Sequence, residues 1–282
     1  MSELSGKVII ITGASSGIGA ATALTCAKAG MHVVLGARRA DRLESVAERI
    51  RETGVESSIV VGDVADPDNT TALLDEADRR FGGFDAVFAN AGYGTEKAFT
   101  AMSDEDFRRM FEVNFFASVA LCREAARLWL DRGRGGHLLI CSSCLAKFTL
   151  PYYGVYAATK SAQAMVARSM RYELAPHGIE VSSVHPVTTR TEFFEVSADL
   201  SGVDAGGETV PDHAPKAFVQ PPERVARAVL ACLRSPRSEV WTSQTTRFAS
   251  ALFTLFPRLQ DLVMRRQAAR DQRLHDPRPP VG

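Results

Sequence analysis

The first apolar run of the chain, "KVIIITG" over 7–13, is continuous rather than alternating, as in a strand buried on both faces. A helix of small residues follows over 18–30, with Gly30 as its C-terminal stop. The alternation then repeats, with a strand at 32–38, an amphipathic helix at 40–54, the strand "ESSIVVGDV", a helix opening at "DPDNTT" and the strand "FDAVFANAG". A long helix near 104–132 precedes "HLLICSS", and another near 154–176 precedes "IEVSSVHP". Apolar strands alternating with helices imply parallel strands joined by right-handed crossovers. The fold class expected is α/β, a Rossmann-like doubly wound parallel sheet in a single domain.

From 188 to 220 the rhythm breaks into a stretch rich in Gly, Ser, Asp and Pro with scattered aromatics, read as a lid over a pocket. "PPERVARAVLACLRS" then predicts a helix with Pro222 in its first turn, and "SEVWT" a last short strand. The domain is drawn over 1–243, and 244–282 is a C-terminal extension, helical and then a charged, Pro-ended tail read as a frayed solvated end.

Composition narrows the function classes. The chain has 282 residues, 45% of them apolar, with a formal net charge of zero, so nothing points to a nucleic-acid partner. Only the seven residues "MSELSGK" precede the apolar stretch that begins at Val8, too few for a signal peptide, and "FASALFTLF" is far shorter than the ~20 residues that span a bilayer. Five cysteines, an odd number, fit reduced thiols. The expected location is cytoplasmic.

The stretch "TGASSGIG" over 12–19 lies between the first strand and its helix, the setting a dinucleotide site requires. There Gly13 permits a sharp turn, Gly17 lets the backbone approach a phosphate, and Gly19 allows close helix packing. The helix N-terminus, reached through Ser15, Ser16 and Ile18, offers unpaired N–H groups and a positive dipole to a pyrophosphate.

With its G-x-x-x-G-x-G spacing, this loop resembles the short-chain dehydrogenase/reductase family. Ordered matches continue to about residue 191. Asp63 and Val64 in "GDV" resemble the family's adenine-contacting turn, and Asn90, Ala91 and Gly92 its N-N-A-G motif. Asn114 falls at the family's catalytic asparagine, "YAATK" supplies Tyr-x-x-x-Lys, and Pro186, Thr189 and Thr191 lie in a segment similar to P-G-x-x-x-T. Two positions depart from the pattern. Ala89 replaces the first asparagine of N-N-A-G, and Val187 the glycine after Pro186.

An NAD(H) enzyme usually ends its second strand in Asp or Glu, which accepts from the ribose 2′-hydroxyl. Here that position is Ala37, followed by Arg38 and Arg39. With no carboxylate to repel a 2′-phosphate and a guanidinium able to bind one, NADP(H) is favoured over NAD(H), with Arg38 as the main ligand. The alternative for Arg39 is a surface pair with Asp41.

"ICSSCLAKFTLPYYGVYAATKSA" carries two candidate chemistries. Cys141 and Cys144 form a C-x-x-C, but they straddle the end of a strand rather than open a helix, so nothing there lowers a thiol pKa. Tyr156 and Lys160 are four apart on one helix and share a face. A free tyrosine has a pKa of ~10, which a neighbouring ammonium should lower. The resemblance implies that Tyr156 is the acid/base, Ser143 the hydroxyl that holds the substrate oxygen, Lys160 a partner of Tyr156 and of the nicotinamide ribose, and Asn114 the anchor of a water leading to Lys160. Ser142 should point to the other side of its strand.

Tyr93, Cys144, Phe148, Tyr153 and Phe193 are the candidate pocket residues, an apolar set implying a hydrophobic carbonyl or alcohol as substrate. His185 is read as structural, and no metal site is expected. Similar proteins pair through the two long helices, so a homodimer or homotetramer is expected. The extension could pack on a neighbouring subunit, cover the site or touch a membrane surface. The alternative function is a non-catalytic NADP(H)-binding sensor, whose mark would be a missing catalytic group.

Overall fold

In a computed structural model, residues 3–193 and 219–275 are described. Seven strands form one parallel sheet in the order β3-β2-β1-β4-β5-β6-β7. They are β1 Val8–Thr12, β2 His32–Ala37, β3 Ser57–Val61, β4 Ala86–Ala89, β5 Gly136–Cys141, β6 Ile179–His185 and β7 Glu239–Trp241. The helices are α1 Gly17–Lys28, α2 Ala40–Arg51, α3 Pro67–Phe81, α4 Asp104–Phe111, α5 Ala117–Asp131, α6 Gly154–Leu174, α7 Pro222–Arg234, α8 Gln244–Leu255 and α9 Pro257–His275.

The continuous apolar strands have the cause expected of them. Successive side chains of β1 point to opposite faces, and both faces are covered. Ile9 and Ile11 pack with Val33, Leu35 and Val229 on one side. Val8 and Ile10 pack with Val34, Leu138 and Trp129 on the other. α3 shows how the loops are punctuated: Asp66 accepts from the Asp68 N–H at 3.0 Å, Pro67 opens the helix, and Gly82 ends it at φ 72°.

All strands run the same way, so their carboxyl ends share one edge. The order reverses between β1 and β4, and the crevice outside that point is where such sheets take ligands.

Three regions differ from the sequence expectation. The single helix near 104–132 is α4 and α5 joined by a π turn, Glu112–Phe116. The tail read as frayed from 264 continues the helix α9 to His275, and 276–282 lie outside the described residues. Most of the lid expected over 188–220 also lies outside them; at its ends, Thr189 bridges to Gln220. No described helix is long and apolar enough to cross a membrane.

Candidate active site

Gly13 (φ 65°) and Gly17 (φ 53°) turn the chain from β1 into α1 in a conformation that side chains disfavour. Gly19 has no room for more than hydrogen, because a Cβ there would stand 2.2 Å from the Gly13 carbonyl oxygen. Ser16 precedes α1 in an extended conformation, and no side chain caps the helix. The first-turn N–H groups at Gly17, Ile18 and Gly19 therefore suit an anion.

The Asn90 amide braces the turn, donating to the Thr12 carbonyl at 3.0 Å. The backbone N–H groups of Asn90 and Ala91 both donate to Thr12 Oγ1, at 3.0 and 3.1 Å. Ala89 is a buried strand residue beside Ile140. Asn90 thus ties β4 to the glycine turn despite that departure. Val187 is buried, and its N–H faces Thr242 Oγ1 at 3.4 Å.

Ser143, Tyr156 and Lys160 converge just past the carboxyl end of β5. Ser143 Oγ accepts the Leu145 N–H at 3.1 Å and is hydrogen-bonded to Tyr156. Lys160 is buried; its ammonium donates to the Cys141 carbonyl at 2.8 Å and lies 5.7 Å from the centre of the Tyr156 ring. Burial pushes the Tyr156 phenol above its ordinary value and lowers Lys160 to about 8. The lowered tyrosine pKa expected from the sequence is thus reversed in the protein alone. Desolvation outweighs the hydrogen bond from Ser143, so the phenol holds its proton near pH 7.

Ser142 points away as its alternation requires, donating to the Lys160 carbonyl at 2.8 Å. His185 had no assigned role in this site. Its Nδ1 lies 2.9 Å from the Ser143 carbonyl oxygen, and its ring stacks on Trp241 at 4.7 Å, steadying the serine from below. Burial lowers His185 to about 4, so it is neutral near pH 7.

Asn114 sits in the π turn, fully buried. Its side chain accepts the Tyr93 N–H at 2.9 Å and donates to the Tyr93 carbonyl at 2.8 Å and to Thr159 Oγ1 at 3.0 Å. Those bonds explain the wide turn, which brings the amide to the β4 loop. The Asn114 carbonyl accepts from Ser118 Oγ at 2.8 Å and from Gln163 Nε2. Two protein donors therefore already occupy the Asn114 backbone oxygen.

The C-x-x-C pair is not bonded, and burial raises both thiols to about 11. Neither is poised as a thiolate nucleophile. Among the described residues no group of His, Cys, Asp or Glu could hold a metal ion.

One cleft of about 1560 Å³ joins the glycine turn to the Ser143–Tyr156–Lys160 cluster. Arg38, Asp63, Val64, Gly92, Pro186, Thr189 and Thr191 line it along with the turn. Asp63 pairs with Arg109, a partner the sequence did not reveal. Tyr93, Cys144, Phe148, Tyr153 and Phe193 also line the cleft, and Tyr153 hydroxyl donates to Glu96 at 2.6 Å. Phe193 packs on Tyr156 with ring centres 5.6 Å apart. The extension supplies a wall that sequence reasoning left open: Thr246, Ala249 and Phe253 from α8, and Val263, Met264 and Gln267 from α9. Phe253 meets Phe148 edge-on at 5.7 Å.

At the far end of the cleft one expectation needs correcting. The end of β2 carries no carboxylate, but Glu192 is brought there from beyond β6. It pairs with Arg39 at 2.8 Å and with Arg42 at 3.6 Å, in place of the Arg39–Asp41 pair considered from sequence. Arg39 also donates to Ser16 Oγ at 2.9 Å and Ser15 Oγ at 3.3 Å.

A family model described as short chain dehydrogenase matches residues 7–200. The chain is 32% identical over 260 residues to 3beta-hydroxysteroid dehydrogenase 1 of Eggerthella lenta, covering 92% of this chain and 97% of that one. It is 36% identical over 235 residues to glycine betaine reductase ATRR of Emericella nidulans, 83% of this chain but only 18% of that protein. The crystal structure of L-sorbose reductase from Gluconobacter frateurii, complexed with NADPH and L-sorbose, superposes with a TM-score of 0.75 at 31% identity. That match covers 85% of this chain and 97% of the other. Other solved neighbours are complexes with NAD.

Proposed function

The chain belongs to the short-chain dehydrogenase family, and from that premise we propose that it is an NADP(H)-dependent reductase of hydrophobic carbonyl compounds, with Tyr156 as its acid. The observation that carries this reading is the convergence of buried Ser143 and Lys160 with half-buried Tyr156 in a cleft continuous with the uncapped start of α1. The donor set suits a phosphorylated dinucleotide. The α1 N-terminus would hold the pyrophosphate, Arg38 and Arg39 a 2′-phosphate, and Asp63 and Val64 the adenine. Arg38 is exposed, lines the cleft and makes no hydrogen bond or ion pair with the described residues.

When bound, the reduced nicotinamide supplies a hydride to the carbonyl carbon. Ser143 donates a hydrogen bond to the carbonyl oxygen and orients it. Tyr156 gives the same oxygen its phenolic proton, so the carbonyl becomes an alcohol and the tyrosine a phenolate. Lys160 stabilises that phenolate as an ammonium, and proton return to Tyr156 completes the cycle. His185 and Asn114 hold Ser143 and the Tyr93 loop in place.

Phe148, Phe253, Leu145, Val187 and Met264 around the reacting end favour a bulky apolar carbonyl over a sugar or an acid. Phe116 on the π turn and Met165 and Tyr172 on α6 are exposed, and this face is the one we assign to a homodimer contact.

The test is NADPH oxidation, followed by absorbance, against a panel of apolar ketones, with NADH in parallel. Turnover faster with NADPH supports the reading. Tight NADPH binding with no turnover of any carbonyl would turn it toward a cofactor sensor.

A further inference from the structure

We infer that Glu192 sets the preference between phosphorylated and unphosphorylated adenosine by competing with a 2′-phosphate for Arg39. This rests on the NADP(H) reading above.

Glu192 stands where a 2′-phosphate would seek its donor. Its carboxylate holds Arg39 at 2.8 Å and Arg42 at 3.6 Å, while Arg39 also bonds the serine hydroxyls of the glycine turn. Carboxylate and phosphate both accept from the fork of a guanidinium, so the two anions seek the same N–H groups. They also repel one another. A ribose 2′-hydroxyl does neither, and it can donate to a carboxylate as it does to the acidic residue of NAD(H) sites.

The backbone that carries Glu192 is held on both sides. On one side Thr191 packs against the turn so closely that a Cβ on Gly17 would stand 2.9 Å from its Cγ2. On the other, Phe193 lies on the Tyr156 ring at 5.6 Å. A 2′-phosphate that takes Arg39 must therefore compete with a carboxylate whose backbone is anchored at both neighbours. The three residues Thr191, Glu192 and Phe193 thus link the adenosine end of the cleft to the reacting end.

Fluorescence titration of NADPH and NADH against the wild type, Glu192→Gln and the Arg39→Gln/Glu192→Gln pair tests this without any substrate. Loss of a partly exposed ion pair and its repulsion should tighten NADPH by about fivefold in Glu192→Gln. NADH should be unchanged or weaker, and the NADPH gain should vanish when Arg39 is also replaced. NADPH affinity equal to wild type, or NADPH and NADH tightening together, would overturn the inference. The two readings fail separately. A wild type that prefers NADH while Glu192→Gln gains NADPH affinity removes the NADP(H) assignment and keeps the role of Glu192. A wild type that prefers NADPH with no change in the variant does the reverse.

Discussion

Lys160 donates to the Cys141 carbonyl across 2.8 Å, so the helix that carries Tyr156 is fastened to the end of the strand that leads into Ser143. One buried cation therefore joins Tyr156, Ser143 and the C-x-x-C. Cys141 contributes its backbone oxygen to that junction. Burial holds Lys160 at about 8, below an ordinary lysine. Below that pH the amine is charged and supports a phenolate; above it the support is lost. The kcat/KM for carbonyl reduction should fall as pH rises through about 8, and a profile flat from pH 6 to 10 would contradict the role of Lys160.

Tyr156→Phe removes the donated proton and little else, because Ser143 keeps its bond to the Leu145 N–H. The rate should drop by about 10²–10⁴. NADPH affinity, read by fluorescence titration, should stay within about threefold of wild type. A Phe variant that keeps a tenth of the activity would move the acid role elsewhere.

Arg38→Ala should weaken NADPH by about tenfold or more, the effect of losing charge-assisted hydrogen bonds to a phosphate. NADH should bind as before. Equal losses for both cofactors would mean that Arg38 acts on the fold of the β2 end and not on the phosphate.

Gly19→Ala places a methyl 2.2 Å from the Gly13 carbonyl oxygen and 2.8 Å from Asn90 Nδ2, and neither neighbour can yield without opening the turn. Thermal melts should show a loss of about 1–3 kcal/mol, with cofactor binding abolished. Normal binding in this variant would be incompatible with the close approach of α1 to the turn.

Glu239 joins the site to stability. Burial alone would raise its carboxyl, but bonds from Lys147 and Trp241 and the charge of Lys147 more than offset this and hold it at about 2. A carboxyl lowered by folding stabilises at pH above its unfolded value of ~4.3, and that contribution fades as pH falls toward the folded one. At neutral pH it amounts to about 2–3 kcal/mol. Glu239→Gln should melt lower than wild type at pH 7, and the gap should close between about pH 4.5 and 2. A gap independent of pH would assign the effect to packing.

Phe253→Ala opens the wall shared with Phe148. The KM for bulky apolar ketones should rise by about fivefold while NADPH affinity stays unchanged, since aromatic contacts of this kind contribute near 1 kcal/mol. An unchanged KM would place the substrate elsewhere in the cleft.

The parts of this protein that were legible in the sequence are those whose physics is local. A glycine that must turn, an apolar run that must be covered on both faces, and a tyrosine and lysine one helical turn apart are each decided within a few residues. Hence the doubly wound sheet, the glycine turn at Gly13–Gly19 and the Tyr156–Lys160 pair could be read before any contact was known. The charge state of those groups could not, because burial is set by the whole fold; it left Tyr156 a firmer phenol than its neighbour's charge suggested. Nor could the meeting of residues far apart in the chain. Glu192 reaches Arg39 only because parallel strands bring every β-to-α connection to one edge of the sheet. Phe253 and Met264 line the cleft only because α8 and α9 fold back over that edge. Local pattern determined the scaffold and the Tyr156–Lys160 pair, and packing over long sequence distances decided what surrounds them.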